Sequence, residues 1–232
     1  MSIFTTTRWS LVLAARGNGR DAGLALEALC RAYRPAVLAY IRARGHERAE
    51  AEDLTQAFFE RFLVRQVHAA ADPARGRFRT FLRTALQRYL INEGIASRTQ
   101  KRGGGMQPEA LGDWMGEGGA SEALSPDEAF DLAWAVTVCD RALANLREEA
   151  TATGRGEQFA LLEPFLLERP EQREYLAVAE QLGMRANTVA VAVRRLRERL
   201  RELIGAELAD TVDGQDGVEA EKRALQALLA AQ

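Results

Sequence analysis

Apolar residues recur at helical spacing along most of the chain, and β-branched alternation typical of strands is absent from the pattern. A first helical block runs from about residue 21 to 103. Within it, a second helix is expected at about 49–67 and a third from Phe78 onward. The helix at 49–67 should bury Leu54, Phe58 and Phe62 on one face. This block predicts an all-helical domain.

A second block begins at a clear helix start. Ser125, Pro126 and Glu128 supply an N-cap, a proline at the first helical position and a capping-box glutamate. The Gly-rich stretch before them lacks periodicity and reads as a flexible linker. The pattern predicts an all-α fold with two helical domains. Their bounds are 1–102 for the first domain, 103–124 for the linker, 125–204 for the second domain and 205–232 for a C-terminal helical extension.

Residues 175–201 have the spacing of a helix-turn-helix. Leu176, Ala179 and Leu182 are expected to face inward on its first helix, and Gly183 should adopt a positive φ in the turn. The buried side of the second helix is predicted to consist of Val189, Val193, Leu196 and Leu200. The alternative is an ordinary helical hairpin with a solvated arginine face.

Charge is unevenly distributed, although the net charge is only −2. An N-terminal basic segment (75–102) carries eight basic residues against one acid, Glu93. A C-terminal basic segment (185–201) carries six against one acid, Glu198. Two basic segments on an acidic background predict two separate surfaces that contact nucleic-acid phosphates.

Other classes of function find little support in the sequence. Cys30 and Cys139 have no ligand-spaced partner, His46 and His68 are the only histidines, and no phosphate loop or nucleophile motif occurs. We therefore expect two buried reduced thiols, no metal, no cofactor and no catalytic residue. The apolar stretch 9–15 is too short to span a membrane and lacks the frame of a signal peptide. These features predict a cytoplasmic protein that is not an enzyme.

The motif AEDLTQAFFERFL, the motif FRTFLRTALQRYLINEGIASRTQKR, a linker and a terminal helix-turn-helix follow one another in this chain. This order resembles the extracytoplasmic-function group of sigma-70 family factors, over about residues 24–102 and 127–204. The resemblance implies core RNA polymerase and promoter DNA as partners. A separate anti-sigma protein is a further candidate partner. The C-terminal extension exceeds the family pattern, and is either a built-in regulator or extra packing surface. By the same resemblance, Asp53, Gln56 and Glu60 would face the polymerase.

The resemblance further implies two DNA-binding sites. The minus-ten strand would contact Arg88, Tyr89, Asn92, Arg98, Lys101 and Arg102. The minus-thirty-five duplex would contact Arg185, Asn187, Thr188, Arg194, Arg195, Arg197 and Arg201. The chain departs from the family pattern at Ala190 and Ala192, where lysine or arginine is common, and at an apparent insertion over 150–170.

Two other functions compete with this interpretation. A helix-turn-helix regulator acting without polymerase explains the C-terminal basic segment but gives no role to Asp53, Gln56 and Glu60. A degenerate sigma-like interaction protein would explain the alanines at 190 and 192. Polymerase binding separates the first alternative from the sigma interpretation, and promoter binding by the holoenzyme separates the second.

Overall fold

The computed structural model describes residues 12, 20–72, 76–101, 124–167, 171–209, 221–223 and 225–226. Within these ranges every regular element is a helix and no strand occurs, which confirms the all-α fold class. They form two compact units, which lie within Trp9–Trp134 and Ala135–Gln232. The predicted linker lies outside the described residues except for Leu124, and the predicted domain bounds remain a prediction.

Among its described residues, the first unit includes three α-helices, a 3₁₀ turn and the beginning of a fourth α-helix. They are α1 (Arg20–Ala43), α2 (Arg48–Val64), the 3₁₀ turn Val67–Ala70, α3 (Phe78–Lys101) and residues 126–134 of α4 (Pro126–Ala152). Aromatic rings dominate the packing between them. Tyr33 of α1 packs on Phe78 of α3 with ring centroids 5.3 Å apart, and Phe58 of α2 packs on Tyr89 of α3 at 5.5 Å. Burial of these large rings stabilises the arrangement of the three helices.

The start of α4 is fixed locally by its cap. Ser125 accepts a hydrogen bond from the Glu128 backbone N–H at 3.3 Å, and Glu128 accepts one from the Ser125 N–H at 2.8 Å. These hydrogen bonds lower the pKa of the Glu128 carboxyl. The capping box predicted from the sequence is therefore present, and it places Pro126 at the first helical position.

Buried side chains join the first turns of α4 to α3. Arg79 of α3 is only 8% exposed, and its guanidinium lies 4.5 Å from the centre of the Trp134 ring. The same guanidinium pairs with Asp131 at 2.9 Å, while Arg83 reaches Asp131 at 3.2 Å and Asp127 at 3.6 Å. A buried arginine needs such partners, because an unpaired charge in a core is costly. The acidic first turns of α4 thus compensate two cations of the N-terminal basic segment.

Among its described residues, the second unit includes the rest of α4 and the four helices between residues 156 and 209. They are α5 (Gly156–Leu162), α6 (Pro164–Leu167), α7 (Gln172–Gln181) and α8 (Ala186–Ala209). Pro164 separates α5 from α6, because a proline is tolerated at a helix start but not in an interior. Phe159, Leu162 and Phe165 from this stretch are buried against α8. The apparent insertion 150–170 thus supplies core residues to the unit.

Helices α7 and α8 are joined by a tight turn at Gly183. Its φ is +62°, and the N–H groups of Gly183 and Met184 donate to the carbonyls of Glu180 at 3.1 Å and Ala179 at 2.8 Å. This pattern is a Schellman motif, in which a left-handed glycine ends the helix. The left-handed glycine in the turn agrees with the sequence-based expectation.

The expected burial of Leu176 was wrong, since this side chain is 56% exposed. The buried stripe of α7 passes instead through Tyr175, Val178, Ala179 and Leu182. These positions follow the i, i+3, i+4, i+7 rule, and Leu176 lies one residue outside it. Val189 and Val193 of α8 are buried as expected.

Helix α8 does not end at Gly205, although a glycine there suggested a boundary. It continues to Ala209, and Leu208 is fully buried. A Cβ on Gly205 would come within 3.2 Å of the Lys222 side chain. Glycine therefore lets residues of the C-terminal extension approach α8 closely.

Candidate nucleic-acid interface

The outer face of α2 presents three polar side chains. Ala51, Thr55, Phe58 and Phe62 form its buried side. Asp53, Gln56 and Glu60 consequently point away from the core, and all three are exposed. Gln56 donates a hydrogen bond to Glu60 at 3.0 Å. The structure thus brings the three residues together on one acidic and amide-bearing face.

An open cavity of about 270 Å³ lies between α2, the 3₁₀ turn and α3. Its floor is aromatic, because Phe58, Phe62 and Tyr89 are buried in the core. Its rim is cationic and polar, and is formed by Arg61, Arg65, Arg88, Thr84 and Asn92. A cavity with an aromatic floor and a rim of hydrogen-bond donors suits a heterocyclic group next to a phosphate.

The Tyr89 ring is integral to the cavity floor and is 7% exposed. The Arg61 guanidinium lies 5.8 Å from its centre and pairs with Glu93 at 3.0 Å. Burial and the Glu93 carboxylate raise the pKa of the Tyr89 hydroxyl, so the phenol remains neutral and able to donate a hydrogen bond.

The residues predicted for the minus-ten strand have different positions in the structure. Arg88 and Asn92 are exposed one turn apart on α3, and both line the cavity rim. The side chains of Arg98 and Lys101, and all of Arg102, lie outside the described residues. Arg61 and Arg65 were not predicted as site residues from the sequence. They lie four residues apart in the segment that follows Phe58, and this helical spacing is the signal that could have identified them.

The residues predicted for duplex binding lie around α8 and the turn before it. Six are exposed, namely Arg185, Asn187, Thr188, Arg194, Arg195 and Arg201. Arg194 pairs with Glu198 at 3.0 Å yet keeps a largely exposed side chain. Arg197 differs, because its guanidinium donates to the Phe165 carbonyl at 3.0 and 2.5 Å. The structure therefore gives Arg197 an internal contact between α6 and α8.

Arg199 joins α8 to the end of α4. Its guanidinium contacts both carboxylate oxygens of Glu149, at 2.7 and 3.0 Å, and Glu202 at 2.7 Å. The hydrogen bonds from Arg199 lower the pKa of the Glu149 carboxyl. Because the pKa of Glu149 is lower in the folded state than in the unfolded state, the ionised carboxylate stabilises the fold when the pH is above the unfolded-state pKa. This stabilisation is lost as the pH falls through the folded-state pKa.

We expect Glu149→Gln to lower the free energy of unfolding at pH 7 by at most about 1 kcal/mol, since both partners are roughly half exposed. The difference from the unsubstituted chain should shrink below about pH 4, where an unfolded glutamate becomes protonated. Urea unfolding at pH 7 and pH 3.5 measures this change. The neighbouring exposed Glu148→Gln is the matched control, and an equal Glu149→Gln deficit at both pH values would contradict the expectation.

Neither thiol looks nucleophilic. Burial raises the pKa of Cys30 to about 11 and, together with Asp140, raises that of Cys139. Both cysteines are free. Across the described ranges no cluster of His, Cys, Asp or Glu has the makings of a metal site. Of the helices described, none combines the length and apolar character needed to cross a bilayer.

Comparison with known proteins agrees with the geometry of the first unit. Residues 29–102 match the family model described as Sigma-70 region 2. This stretch contains the outer face of α2 and the whole cavity. None of the curated proteins and none of the solved structures matches the chain. The match covers 74 of the 232 residues, about a third of the chain, and lies within the first unit.

Proposed function

We propose that the chain is a sigma factor of the extracytoplasmic-function group, which binds core RNA polymerase and directs it to promoters in the cytoplasm. The cavity of the first unit carries this proposal. It joins an aromatic floor to a rim that includes Arg88 and Asn92, all within the stretch similar to Sigma-70 region 2. In this role the chain provides binding and positioning, and the chemistry of transcription belongs to the polymerase.

The cavity is suited to one unstacked base of the minus-ten strand. A base that leaves the stack needs an apolar surface for its ring and hydrogen-bond partners for its edge. Phe58 and Tyr89 line the apolar side of the cavity, and Asn92 offers both a donor and an acceptor at its rim. Arg88 is placed to contact a flanking phosphate. Beyond the cavity, the strand would follow α3 toward Arg98, Lys101 and Arg102.

The second unit would bind the minus-thirty-five element as duplex. A helix enters the major groove with its N-terminal residues on the bases and flanking cations on the phosphates. Asn187 and Thr188 occupy the first turn of α8, while Arg185, Arg194 and Arg195 are exposed around it. We assign Arg197 a positioning role in this unit, because its guanidinium is engaged by the Phe165 carbonyl.

The polymerase-facing residues would be Asp53, Gln56 and Glu60. We expect the double variant Asp53→Ala/Gln56→Ala to weaken binding of the full chain to core RNA polymerase by about tenfold, as for the loss of an interface contact worth about 1.4 kcal/mol. Both side chains are exposed, so folding should be unaffected. Titration of labelled chain with purified core enzyme gives the dissociation constant. Glu27→Ala, an exposed acid on α1, is the matched control.

Run-off transcription on fragmented host DNA with the reconstituted complex then completes the test. Tight binding with discrete promoter-dependent transcripts is the expected result. Failure to bind core enzyme would overturn the proposal and favour a polymerase-independent regulator. Binding without promoter-dependent transcripts would favour an interaction protein built on the same scaffold.

A further inference from the structure

The exposed side of α8 has an unusual composition at its centre. Between Thr188 and Arg194 the helix reads Val-Ala-Val-Ala-Val, so five consecutive positions carry no polar side chain. Val189 and Val193 of this run are buried. Val191 lies on the opposite side and is 42% exposed. The middle of the exposed face is therefore apolar, although its two ends are polar or cationic.

Val191 lies in the same surface stripe as two of the predicted DNA contacts. Asn187 precedes it by four residues and Arg194 follows it by three, and both are exposed. Side chains at these spacings are neighbours on a helix surface. Ala190 and Ala192 on either side of Val191 are short and only half-buried. A surface that packs against this stripe therefore contacts the Val191 methyl groups, with the Asn187 amide on one side of them and the Arg194 guanidinium on the other.

We propose that Val191 is a specificity residue that reads the methyl group of a thymine in the major groove. This inference rests on duplex binding by the second unit, as proposed above. The edges of the base pairs present donors and acceptors in the major groove, and the thymine C5 methyl is the apolar group among them. The arginines around α8 supply the charge that brings a phosphate backbone to this face.

The spacing of Asn187 and Val191 also predicts which base lies near this thymine. An asparagine amide pairs with the major-groove edge of adenine through two hydrogen bonds. Asn187 and Val191 are four residues apart, or about 6 Å along the helix axis, which corresponds to about two base-pair steps. The preferred duplex should therefore contain an adenine within about two steps of the thymine read by Val191.

Selection of random duplexes with the full chain, alone and in complex with core RNA polymerase, tests the proposal. The unsubstituted chain should enrich a site with a thymine that Val191→Ala no longer selects. Replacing this thymine with deoxyuridine removes only its methyl group. The replacement should weaken binding of the unsubstituted chain by about fourfold, the value of one buried methylene, and leave Val191→Ala unaffected. Val136→Ala is the matched control, because Val136 is 43% exposed on α4.

Each outcome distinguishes this inference from the proposed function. An equal effect of deoxyuridine on the unsubstituted chain and Val191→Ala overturns the role of Val191. Absence of any enriched duplex from a chain that does bind polymerase overturns it too, together with duplex binding by the second unit, and leaves only the polymerase-binding part of the proposed function standing. Enrichment with the expected deoxyuridine effect, from a chain that does not bind polymerase, supports Val191 as the thymine reader and overturns the polymerase role.

Discussion

Trp134→Ala is expected to lower the free energy of unfolding of the first unit by about 3–5 kcal/mol, the usual cost of deleting a large buried ring. The Trp134 side chain is 2% exposed, so its removal leaves a cavity among residues that cannot fully collapse into it. Arg79 loses the ring beneath its guanidinium as well. Urea unfolding followed by far-UV circular dichroism measures the loss without depending on tryptophan fluorescence.

Val136→Ala is the control for Trp134→Ala, because it truncates an exposed side chain two residues further along α4. It should change the free energy of unfolding by no more than about 0.5 kcal/mol. Hydrogen exchange then locates the effect. We expect Trp134→Ala to reduce amide protection in α1, α2 and α3. Protection lost only within α7 and α8 would show that residues 126–134 do not stabilise the first unit.

Local signals predicted the helices well, because each signal concerns a few adjacent residues. The capping box of Ser125 and Glu128 fixes the start of α4 through its own hydrogen bonds. Gly183 ends α7 because it adopts a left-handed conformation at little steric cost. Such features depend on backbone chemistry within one turn, so a sequence suffices to identify them.

Packing partners were less predictable, because periodicity says that a residue is buried but not what covers it. Trp134 is buried in the core, yet nothing in the sequence showed that it would lie beneath Arg79. Leu176 shows how strongly a predicted core depends on register, since a stripe placed one residue off replaced the half-buried Tyr175 with an exposed leucine.

The candidate site was likewise predictable where it depends on a single helix and unpredictable where it depends on packing between elements. Asp53, Gln56 and Glu60 share one helix, and their common face follows from the helical repeat alone. The cavity could not be predicted from the sequence, because it depends on how α2, the 3₁₀ turn and α3 pack together. The spacing of Arg61 and Arg65 does not show this packing. Arg197 was grouped with the exposed arginines because its partner, a backbone carbonyl on α6, leaves no trace in a side-chain pattern.

Arg88→Ala/Asn92→Ala is expected to weaken binding of the minus-ten strand by at least about 30-fold. Each side chain contributes a contact of about 1–3 kcal/mol in nucleic-acid complexes of this kind, so a combined loss of about 2 kcal/mol is a lower estimate. Both residues lie on the cavity rim and are exposed, and the fold should not change. The measurement uses the full chain in complex with core polymerase and a single-stranded oligonucleotide from a promoter mapped by run-off transcription.

The control for this variant is Arg44→Ala, which removes an exposed cation near the end of α1. It should weaken binding less than twofold, because loss of a distant charge acts only through screened electrostatics. An oligonucleotide with an abasic site separates the two side chains. If Asn92 contacts the unstacked base, Asn92→Ala should have little further effect on the abasic strand, while Arg88→Ala should still weaken it and reduce its salt dependence. Full additivity of Asn92→Ala and the abasic site would instead place the base outside the cavity, and phosphate attraction alone would then account for strand binding by α3.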